Sequence, residues 1–277
     1  MQLPVSKRMT AHEGLGSAYY SFPSLDAVPF VRHGFSTRLG GVSEGIFASM
    51  NLSFTRGDRP EAVRENFTVF CRSLGVRAED VVISAQEHHT RLYNATAADR
   101  GRGVTRERGY TDIDGLMTDE PGVVLCTQYA DCVPLFFVDP VRKVVATSHS
   151  GWKGTVARIG KVTVERMAKD YGCRPDDVLA AVGPSIGSCC FEVDEPVAAA
   201  FSALEEGCGC VRERGEGKFD VDLWEVNRRI LLSSGIKAEH IAVTDLCTRC
   251  HPDVFWSHRA AGPARGSLAA FIAIAES

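Results

Sequence analysis

The segment Val123-Val124-Leu125-Cys126-Thr127-Gln128-Tyr129-Ala130-Asp131-Cys132-Val133-Pro134-Leu135-Phe136-Phe137-Val138 contains two apolar runs joined by a short polar stretch. Apolar runs of this length, without alternating polar residues, are typical of central strands that are covered on both faces. The segment therefore predicts two buried strands, Val123 to Gln128 and Val133 to Val138, with Cys132 at the turn between them.

Further strands and helices are predicted on both sides of this segment. The strands are Val28 to Ser36, Val81 to Ser84, Val144 to Ser148, Val178 to Val182, His240 to Thr244 and Ser267 to Ile274. The helices are Asp58 to Leu74, one that follows Lys153, Glu195 to Leu204 and Asp220 to Ser234. Strands and helices are mixed along the chain without strict alternation. This order predicts an α/β fold, a single-domain layered sandwich with a mixed β-sheet core flanked by helices. Residues 1–27 are expected to form an N-terminal arm, and residues 28–277 the domain.

Three segments are predicted to lie outside regular structure. Thr37 to Gly45 is interpreted as a glycine-rich loop, in which Arg38 adds a cation that could hold an anion; a hairpin-like turn is the alternative. Ala97 to Gly109 is polar and rich in Arg and Gly, which predicts a mobile surface loop or lid. Glu205 to Lys218 is predicted to be a charged insertion.

Composition limits the partners and the compartment. The net charge of -4 and the absence of a basic run give no indication of nucleic acid as a partner. No stretch resembles a secretory signal or approaches the length of a membrane span. We therefore expect a cytoplasmic protein without membrane contact, present as a monomer or a small homo-oligomer.

The ten cysteines are expected to be buried thiols, metal ligands or reactive groups. Cys126 and the pair Cys189-Cys190 are interpreted as small buried hydrophobic residues. Cys247-Thr248-Arg249-Cys250 has the Cys-x-x-Cys spacing of a structural zinc site, to which Cys208 and Cys210 could add sulfur. The favoured interpretation is instead that Cys247 lines a cavity and that Cys250 and His251 lie at its rim.

Three further residues are candidate ligands of a catalytic metal. His88, Cys132 and His149 come from separate segments, each at or just past the end of a predicted strand. Three protein ligands and one open position are typical of catalytic zinc. The same Cys132 and His149 could instead form the nucleophile and base of a hydrolase. A multicopper oxidase is disfavoured, because the chain has eight histidines and no His-x-His pair.

Seven motifs resemble, in their order, those of the laccase-domain family. They are Thr37-Arg38-Leu39-Gly40-Gly41-Val42-Ser43, Asn51-Leu52, Gln86-Glu87-His88, Ala130-Asp131-Cys132, His149-Ser150-Gly151-Trp152-Lys153-Gly154, Gly183-Pro184-Ser185-Ile186-Gly187 and Asp245-Leu246-Cys247-Thr248. The resemblance covers roughly residues 28 to 275. Members of the family have been called polyphenol oxidases, peptidoglycan editing factors and zinc-dependent purine nucleoside phosphorylases.

The resemblance implies a Cys/His₂ zinc site in a surface cleft, with His88, Cys132 and His149 as ligands. It further implies phosphorolysis of adenosine, inosine, guanosine or methylthioadenosine, with adenosine deamination as a second reaction. Zinc, purine nucleosides and phosphate are thus the expected cofactor and small-molecule partners, and copper is a less favoured metal. The alternatives are a Cys–His hydrolase or amidase, a peptidoglycan-precursor editing factor, a binding protein and a copper-dependent polyphenol oxidase.

The chain departs from the family pattern at three places. His89 stands where the family usually has Gly, so His89 competes with His88 as the ligand. Lys153 replaces the Arg of Gly-Trp-Arg-Gly, a point charge in place of a planar fork. Gly266-Ser267 stands where Gly-Arg is usual, so a cationic contact is missing or comes from Arg265.

The remaining candidate residues have hypothetical catalytic roles. Arg38 and Lys153 are the candidates for holding phosphate beside the sugar. Asn51 and Gln86 could orient the substrate or simply cap loops. Asp131, like Asp114, could act as the acid or could orient a ligand histidine.

Overall fold

The computed structural model of the chain describes residues 3–276, which form fifteen strands and seven α-helices. The strands are β1 (Thr10–Gly14), β2 (Ser17–Ser21), β3 (Val31–Gly40), β4 (Val81–Ile83), β5 (Leu92–Asn94), β6 (Gly115–Thr118), β7 (Val124–Tyr129), β8 (Val133–Asp139), β9 (Val144–Ser150), β10 (Leu179–Val182), β11 (Glu192–Asp194), β12 (Val211–Gly215), β13 (Lys218–Val221), β14 (Ile241–Val243) and β15 (Leu268–Ile274). The helices are α1 (Pro23–Asp26), α2 (Pro60–Leu74), α3 (Trp152–Val156), α4 (Ile159–Tyr171), α5 (Glu195–Ser202), α6 (Leu223–Ser233) and α7 (His258–Ala261).

Two six-stranded sheets form the core of the protein. The first has the order β1-β2-β3-β15-β7-β4, and the second has the order β14-β10-β8-β9-β6-β5. Both are mixed, since β4 pairs with β7, β5 with β6 and β10 with β14 in parallel, while the other pairs are antiparallel. A small third sheet, β11-β13-β12, lies outside them.

The apolar clusters show how the layers stack. Phe67 and Phe70 of α2 pack on the outer face of the first sheet. Side chains of both sheets, such as Leu125 and Phe136, share the cluster between them. Helices α4 and α6 cover the outer face of the second sheet. The predicted layered α/β sandwich is thereby confirmed.

Strands β7 and β8 lie in different sheets although they are neighbours in sequence. Cys126 of β7 faces the cluster of α2, whereas Leu125 faces the second sheet. In β8, Leu135 packs toward α4 and α6, and Phe136 toward the first sheet. Because both faces of each strand are covered, the sequence is apolar throughout rather than alternating. The chain therefore crosses from one sheet to the other at residues 130–132.

Several segments differ from the prediction. The N-terminal segment contributes β1, β2 and α1, and β2 pairs with β3, so its described part belongs to the first sheet. The glycine-rich segment begins as a strand, since β3 continues through Gly40. Gly40 has φ +80, and a Cβ there would lie 2.0 Å from the carbonyl oxygen of Gly16. Only glycine permits this close approach of β2 and β3.

The Arg- and Gly-rich stretch from Ala97 to Gly109 is packed rather than lid-like. Gly101 donates its N–H to the Val81 carbonyl, and Ile83 donates to the Arg102 carbonyl, which fixes the stretch along β4. Val104 is buried in the α2 cluster and anchors it further. The predicted charged insertion also gains structure, because β12 forms a hairpin with β13. None of the described helices is long and apolar enough to cross a membrane.

His33 is a buried imidazole that is held in its neutral form. Its Nε2 accepts a hydrogen bond of 2.8 Å from the backbone N–H of Phe22, and 4% of the residue is exposed. Burial lowers the pKa of His33 to about 4, although Asp26 acts in the opposite direction. The unfolded chain binds a proton there below its ordinary pKa of about 6.5, whereas the native chain does not.

The contribution of His33 to native stability should therefore fall by about 2 kcal/mol as the pH is lowered from 8 to 5. Replacing His33 with glutamine, whose amide oxygen keeps an acceptor for Phe22, should remove this contribution. Urea unfolding at several pH values would measure it. Equal pH dependence in the wild type and His33→Gln would contradict the assignment.

Candidate functional site

The crossing between the sheets places Cys132 at one end of the sandwich. Asp131 makes the turn with φ +84, a left-handed conformation that is uncommon for residues other than glycine. Its carboxylate accepts hydrogen bonds from the hydroxyls of Thr248 (2.6 Å) and Ser257 (3.0 Å) and from the backbone N–H of Arg259 (2.7 Å). Asp131 therefore fixes the turn against the C-terminal loops.

Asp114 orients His149 from the neighbouring strand. Its Oδ1 lies 2.8 Å from Nδ1 of the His149 ring, and the carboxylate also accepts the backbone N–H groups of Glu87, His88 and His89. Burial would raise the pKa of Asp114, but these hydrogen bonds, first of all that of His149, hold it below its usual value. One buried carboxylate thus positions two candidate ligand segments.

His88, Cys132 and His149 form one potential metal-binding group, with their ligand atoms all within 4.8 Å of one another. The two imidazole rings have centroids 4.7 Å apart. A Cβ at Gly151 would lie 2.7 Å from Nδ1 of His88 and 3.1 Å from the Cys132 sulfur, so only glycine leaves room for this group. The ring of His89 contacts Asp112 at 2.7 Å instead.

The electrostatics of the three residues suit a soft divalent metal. Burial and the neighbouring His149 lower the pKa of His88, which favours its neutral form. Burial by itself would lower the pKa of His149, but Cys132 and Asp114 together raise this pKa to about 9. A metal ion would displace that proton and be bound by one thiolate and two neutral imidazoles. This donor set fits zinc, with one position left open.

The three residues line a cavity of about 490 Å³, a size typical of small-molecule sites. Its lining also includes a set of apolar side chains and a set of basic ones. The apolar side chains include Trp152, Ile186, Phe191 and Leu223. The basic ones are Arg56, Arg108, His258, Arg259 and Arg265.

Arg265 is the most buried cation of this lining, with 5% of the residue exposed. Burial and the neighbouring Arg56 lower its pKa to about 10, so it remains charged at neutral pH. One guanidinium nitrogen donates to the Gly266 carbonyl, whereas the buried Nε has no hydrogen-bond partner among residues 3–276. An unpaired buried donor of this kind favours an anion as ligand.

Two of the candidate polar residues serve the framework of the site. The Gln86 amide bonds to both the N–H and the carbonyl of Gln128 at 2.7 Å, although Gln86 also lines the cavity. Asn51 is fully buried and is not among the lining residues. It accepts the N–H groups of Ser53 and Ser267, which do line the cavity.

The two candidate phosphate-binding cations do not line the cavity. The Arg38 guanidinium donates to the carbonyls of Pro252 and Ala48, both at 2.9 Å, and stacks 3.6 Å above the Trp256 ring. The Arg38 side chain therefore joins the loops that contain Ala48 and Pro252. Lys153 is exposed on α3, with its ammonium 5.7 Å from the centre of the Trp152 ring.

The cysteines are distributed differently from the sequence-based interpretation. Cys126 is fully buried, as expected, but Cys189 is exposed and Cys190 partly so. Both lie beside Cys247 and Cys250. Cys208 and Cys210 are not members of that group, because the hairpin-forming segment places them near Arg229 of α6.

Arg56, Arg108 and Arg259 are lining residues that the sequence did not single out. Arg56 and Arg108 lie in polar, glycine-containing stretches of the kind usually taken for surface loops. The only local signal was that Arg259 follows the family motif Asp245-Leu246-Cys247-Thr248 by eleven residues. Their convergence depends on the fold.

Residues 32–275 match the family described as multi-copper polyphenol oxidoreductase laccase. The chain is 36% identical over 245 residues to purine nucleoside phosphorylase YlmD of Bacillus subtilis, covering 88% of each chain. It is also 36% identical over 234 residues to adenosine deaminase RL5 from an unknown prokaryotic organism, covering 82% of this chain and 88% of that one. The crystal structure of the hypothetical protein YfiH of Bacillus licheniformis is similar with a TM-score of 0.89 and 33% identity, covering 95% and 98% of the two chains. These matches confirm the resemblance, and the chain belongs to the multi-copper polyphenol oxidoreductase laccase family.

Proposed function

We propose that this protein is a zinc-dependent purine nucleoside phosphorylase that acts on adenosine, inosine, guanosine or methylthioadenosine. The observation that carries the proposal is the convergence of a three-ligand metal group and a buried unpaired arginine on one cavity. The relatives named as purine nucleoside phosphorylases support it.

His88, Cys132 and His149 would hold the metal. Because they supply three ligands, they would leave one position of a zinc ion open, and the ion would supply polarisation of a substrate oxygen or a water molecule there. The protein's own contribution is to fix these ligands, through Asp114 and the close approach that Gly151 allows.

Arg265 and Arg56 are proposed to bind the phosphate. Phosphorolysis of a nucleoside develops positive charge on the sugar, so an anion held beside it both stabilises that charge and attacks. Arg265 offers a buried guanidinium that is already oriented by the Gly266 carbonyl. Arg56 lies close enough to lower the pKa of Arg265. The Nε of Arg56 donates to the Ser267 hydroxyl. Arg38 and Lys153 would then act outside the phosphate site.

The apolar part of the lining is proposed to receive the purine. Trp152 and Phe191 provide aromatic surface on which a flat base can stack, and Ile186 and Leu223 extend it. The cavity volume of about 490 Å³ is within the range of sites for molecules of nucleoside size. A cationic and an apolar region within one cavity suit a substrate pair of phosphate and nucleoside.

Adenosine deamination is a second activity of the same site in this proposal. One relative is named as an adenosine deaminase, and deamination needs an activated water at the purine rather than phosphate. The two reactions are distinguished by their products. Deamination converts adenosine to inosine and needs no phosphate, whereas phosphorolysis releases adenine and requires phosphate.

Two other functions have less support. A Cys132 nucleophile with His149 as base is compatible with the raised pKa of His149, but it leaves the neighbouring His88 without a role. A multicopper oxidase needs more imidazoles than the described residues bring together, since this group holds two.

The test is release of adenine or hypoxanthine from nucleosides by the purified enzyme, with and without inorganic phosphate. We expect release to require phosphate. Arg265→Met should raise the KM for phosphate about 10–100-fold, because a charge-assisted hydrogen bond contributes about 1.5–3 kcal/mol.

Arg64→Met, a change on the exposed face of α2, is the matched control and should keep the wild-type KM. If Arg38→Met raises the KM for phosphate and Arg265→Met does not, the phosphate site is wrongly assigned. Phosphate-independent release as the main reaction would overturn the proposed phosphorylase.

A further inference from the structure

Four cysteines that do not line the cavity converge on one another and are not used by the proposed reaction. Cys189 and Cys190 follow β10, and Cys247 and Cys250 form the Cys-x-x-Cys sequence after β14. Their sulfur atoms all lie within 4.8 Å of one another. None of them belongs to the group of His88, Cys132 and His149, so this is a separate set of ligands.

The distances between the sulfur atoms fit one tetrahedral metal ion. The Cys250 sulfur lies 3.5 Å from the sulfur of Cys189 and 3.5 Å from that of Cys190. Four sulfurs at about 2.3 Å from a zinc ion form a tetrahedron with edges of about 3.8 Å. A disulfide would require about 2.05 Å. The sulfurs are thus spaced for a shared ion rather than for a covalent bond.

The backbone around the sulfurs is fixed by the protein itself. Ser185 and Cys247 form a β-bridge, and Thr248 donates its N–H to the Ser185 carbonyl at 3.0 Å. The N–H of Gly187 donates to the Cys247 sulfur at 3.2 Å. A Cβ at Gly187 would lie 3.1 Å from the Trp224 ring, so glycine permits the loop to come this close.

We propose that Cys189, Cys190, Cys247 and Cys250 bind a structural zinc ion. All four positions are filled by protein sulfur, which is typical of closed structural sites and leaves no position for a substrate. The thiols would release their protons to solvent on binding, since the ligands are thiolates. A Cys-x-x-Cys pair and a vicinal pair from a distant segment supply the ligands.

The consequence of this site is a fixed rim of the cavity. The Arg259 guanidinium donates to the carbonyls of Cys190 (3.1 Å) and Glu192 (2.9 Å), and its backbone N–H donates to Asp131. Arg259 lines the cavity. An ion that joins the segments of Cys190 and Cys250 would therefore fix the Cys190 carbonyl, to which the Arg259 guanidinium donates.

Metal analysis of the protein, purified with a thiol reductant and supplied with zinc, tests the proposal. We expect about two zinc ions per chain in the wild type. Cys189→Ser and Cys250→Ser should each lower the content to about one. Cys208→Ser, an exposed cysteine outside the group, is the matched control and should keep the wild-type content.

A second measurement does not depend on the folding of these variants. Cys132→Ala, which lacks a ligand of the other centre, should bind cobalt with the intense absorption of a tetrahedral tetrathiolate ion. This result is independent of the proposed phosphorylase activity, because it reports only the four cysteines. Wild-type zinc content that is unchanged in Cys250→Ser, no tetrathiolate cobalt absorption in Cys132→Ala, or a chain mass lower by two hydrogens from a disulfide would overturn the proposal.

Discussion

Replacement of Cys132 by alanine is expected to abolish metal binding at the proposed zinc centre and to lower the rate of the proposed phosphorolysis about 10³-fold. The reason is that His88 and His149 alone make a two-ligand site, and metal polarisation of substrate is worth several kcal/mol. Zinc content and kcat with a nucleoside and phosphate measure the two effects. The fold should persist, because Asp131 holds the turn through Thr248 and Ser257.

The control for this variant is Cys208→Ala, which changes an exposed cysteine that is outside all three potential metal-binding groups of the described residues. Chelation separates the metal centre from a cysteine nucleophile. A metal centre predicts that chelated wild-type enzyme loses activity and recovers it with zinc. Full activity after chelation, with loss on alkylation of Cys132, would contradict the metal centre and would instead indicate Cys132 as a nucleophile.

The exchange Asp114→Asn should weaken metal binding at this centre about 10–100-fold, although Asp114 is not in the ligand group. Both carboxylate oxygens accept hydrogen bonds, from the N–H groups of Glu87, His88 and His89 and from the His149 ring. An asparagine presents an NH₂ group to some of these donors and leaves at least one buried donor unpaired. We therefore also expect a loss of about 1–3 kcal/mol in the free energy of unfolding.

Competition with a coloured zinc chelator measures the affinity, and urea unfolding measures the stability. Asp112→Asn is the matched control, because Asp112 lies in the same loop but contacts His89 and Arg91 instead of the ligands. Its φ of +54 is a conformation that asparagine also adopts. Unchanged zinc affinity in Asp114→Asn would show that His149 does not need this partner.

The covered strands were predictable because burial on both faces has a direct signature in sequence. The continuous apolar runs that became β7 and β8 needed no knowledge of the topology. Which sheet each strand joins was not predictable, because Leu125 and Leu135 are equally apolar whether they face a helix or another sheet. Pairing is decided by contacts between residues that are distant in sequence, as in β15 with β3 and β7.

The glycine-rich segment shows the opposite case. Local composition from Thr37 onward favoured a loop, yet β3 continues through Gly40 because β2 approaches closely and supplies partners. Likewise, the arginines and glycines of residues 97–109 indicated a mobile lid. Backbone hydrogen bonds to β4 and burial of Val104 fix that segment instead. In both segments tertiary contacts override the local preference.

The sequence by itself determined the class of fold, the family and the group of His88, Cys132 and His149 as candidate ligands. Thiol and imidazole side chains are recognisable by their chemistry alone, and each follows an evident strand. Only the tertiary structure decided that Arg265 rather than Arg38 faces the cavity, and that Asp114 supports His149. It also decided that Cys189 and Cys190 meet Cys247 and Cys250. Arginines, carboxylates and cysteines acquire these roles from neighbours that the folded chain brings to them, and linear spacing does not encode those neighbours.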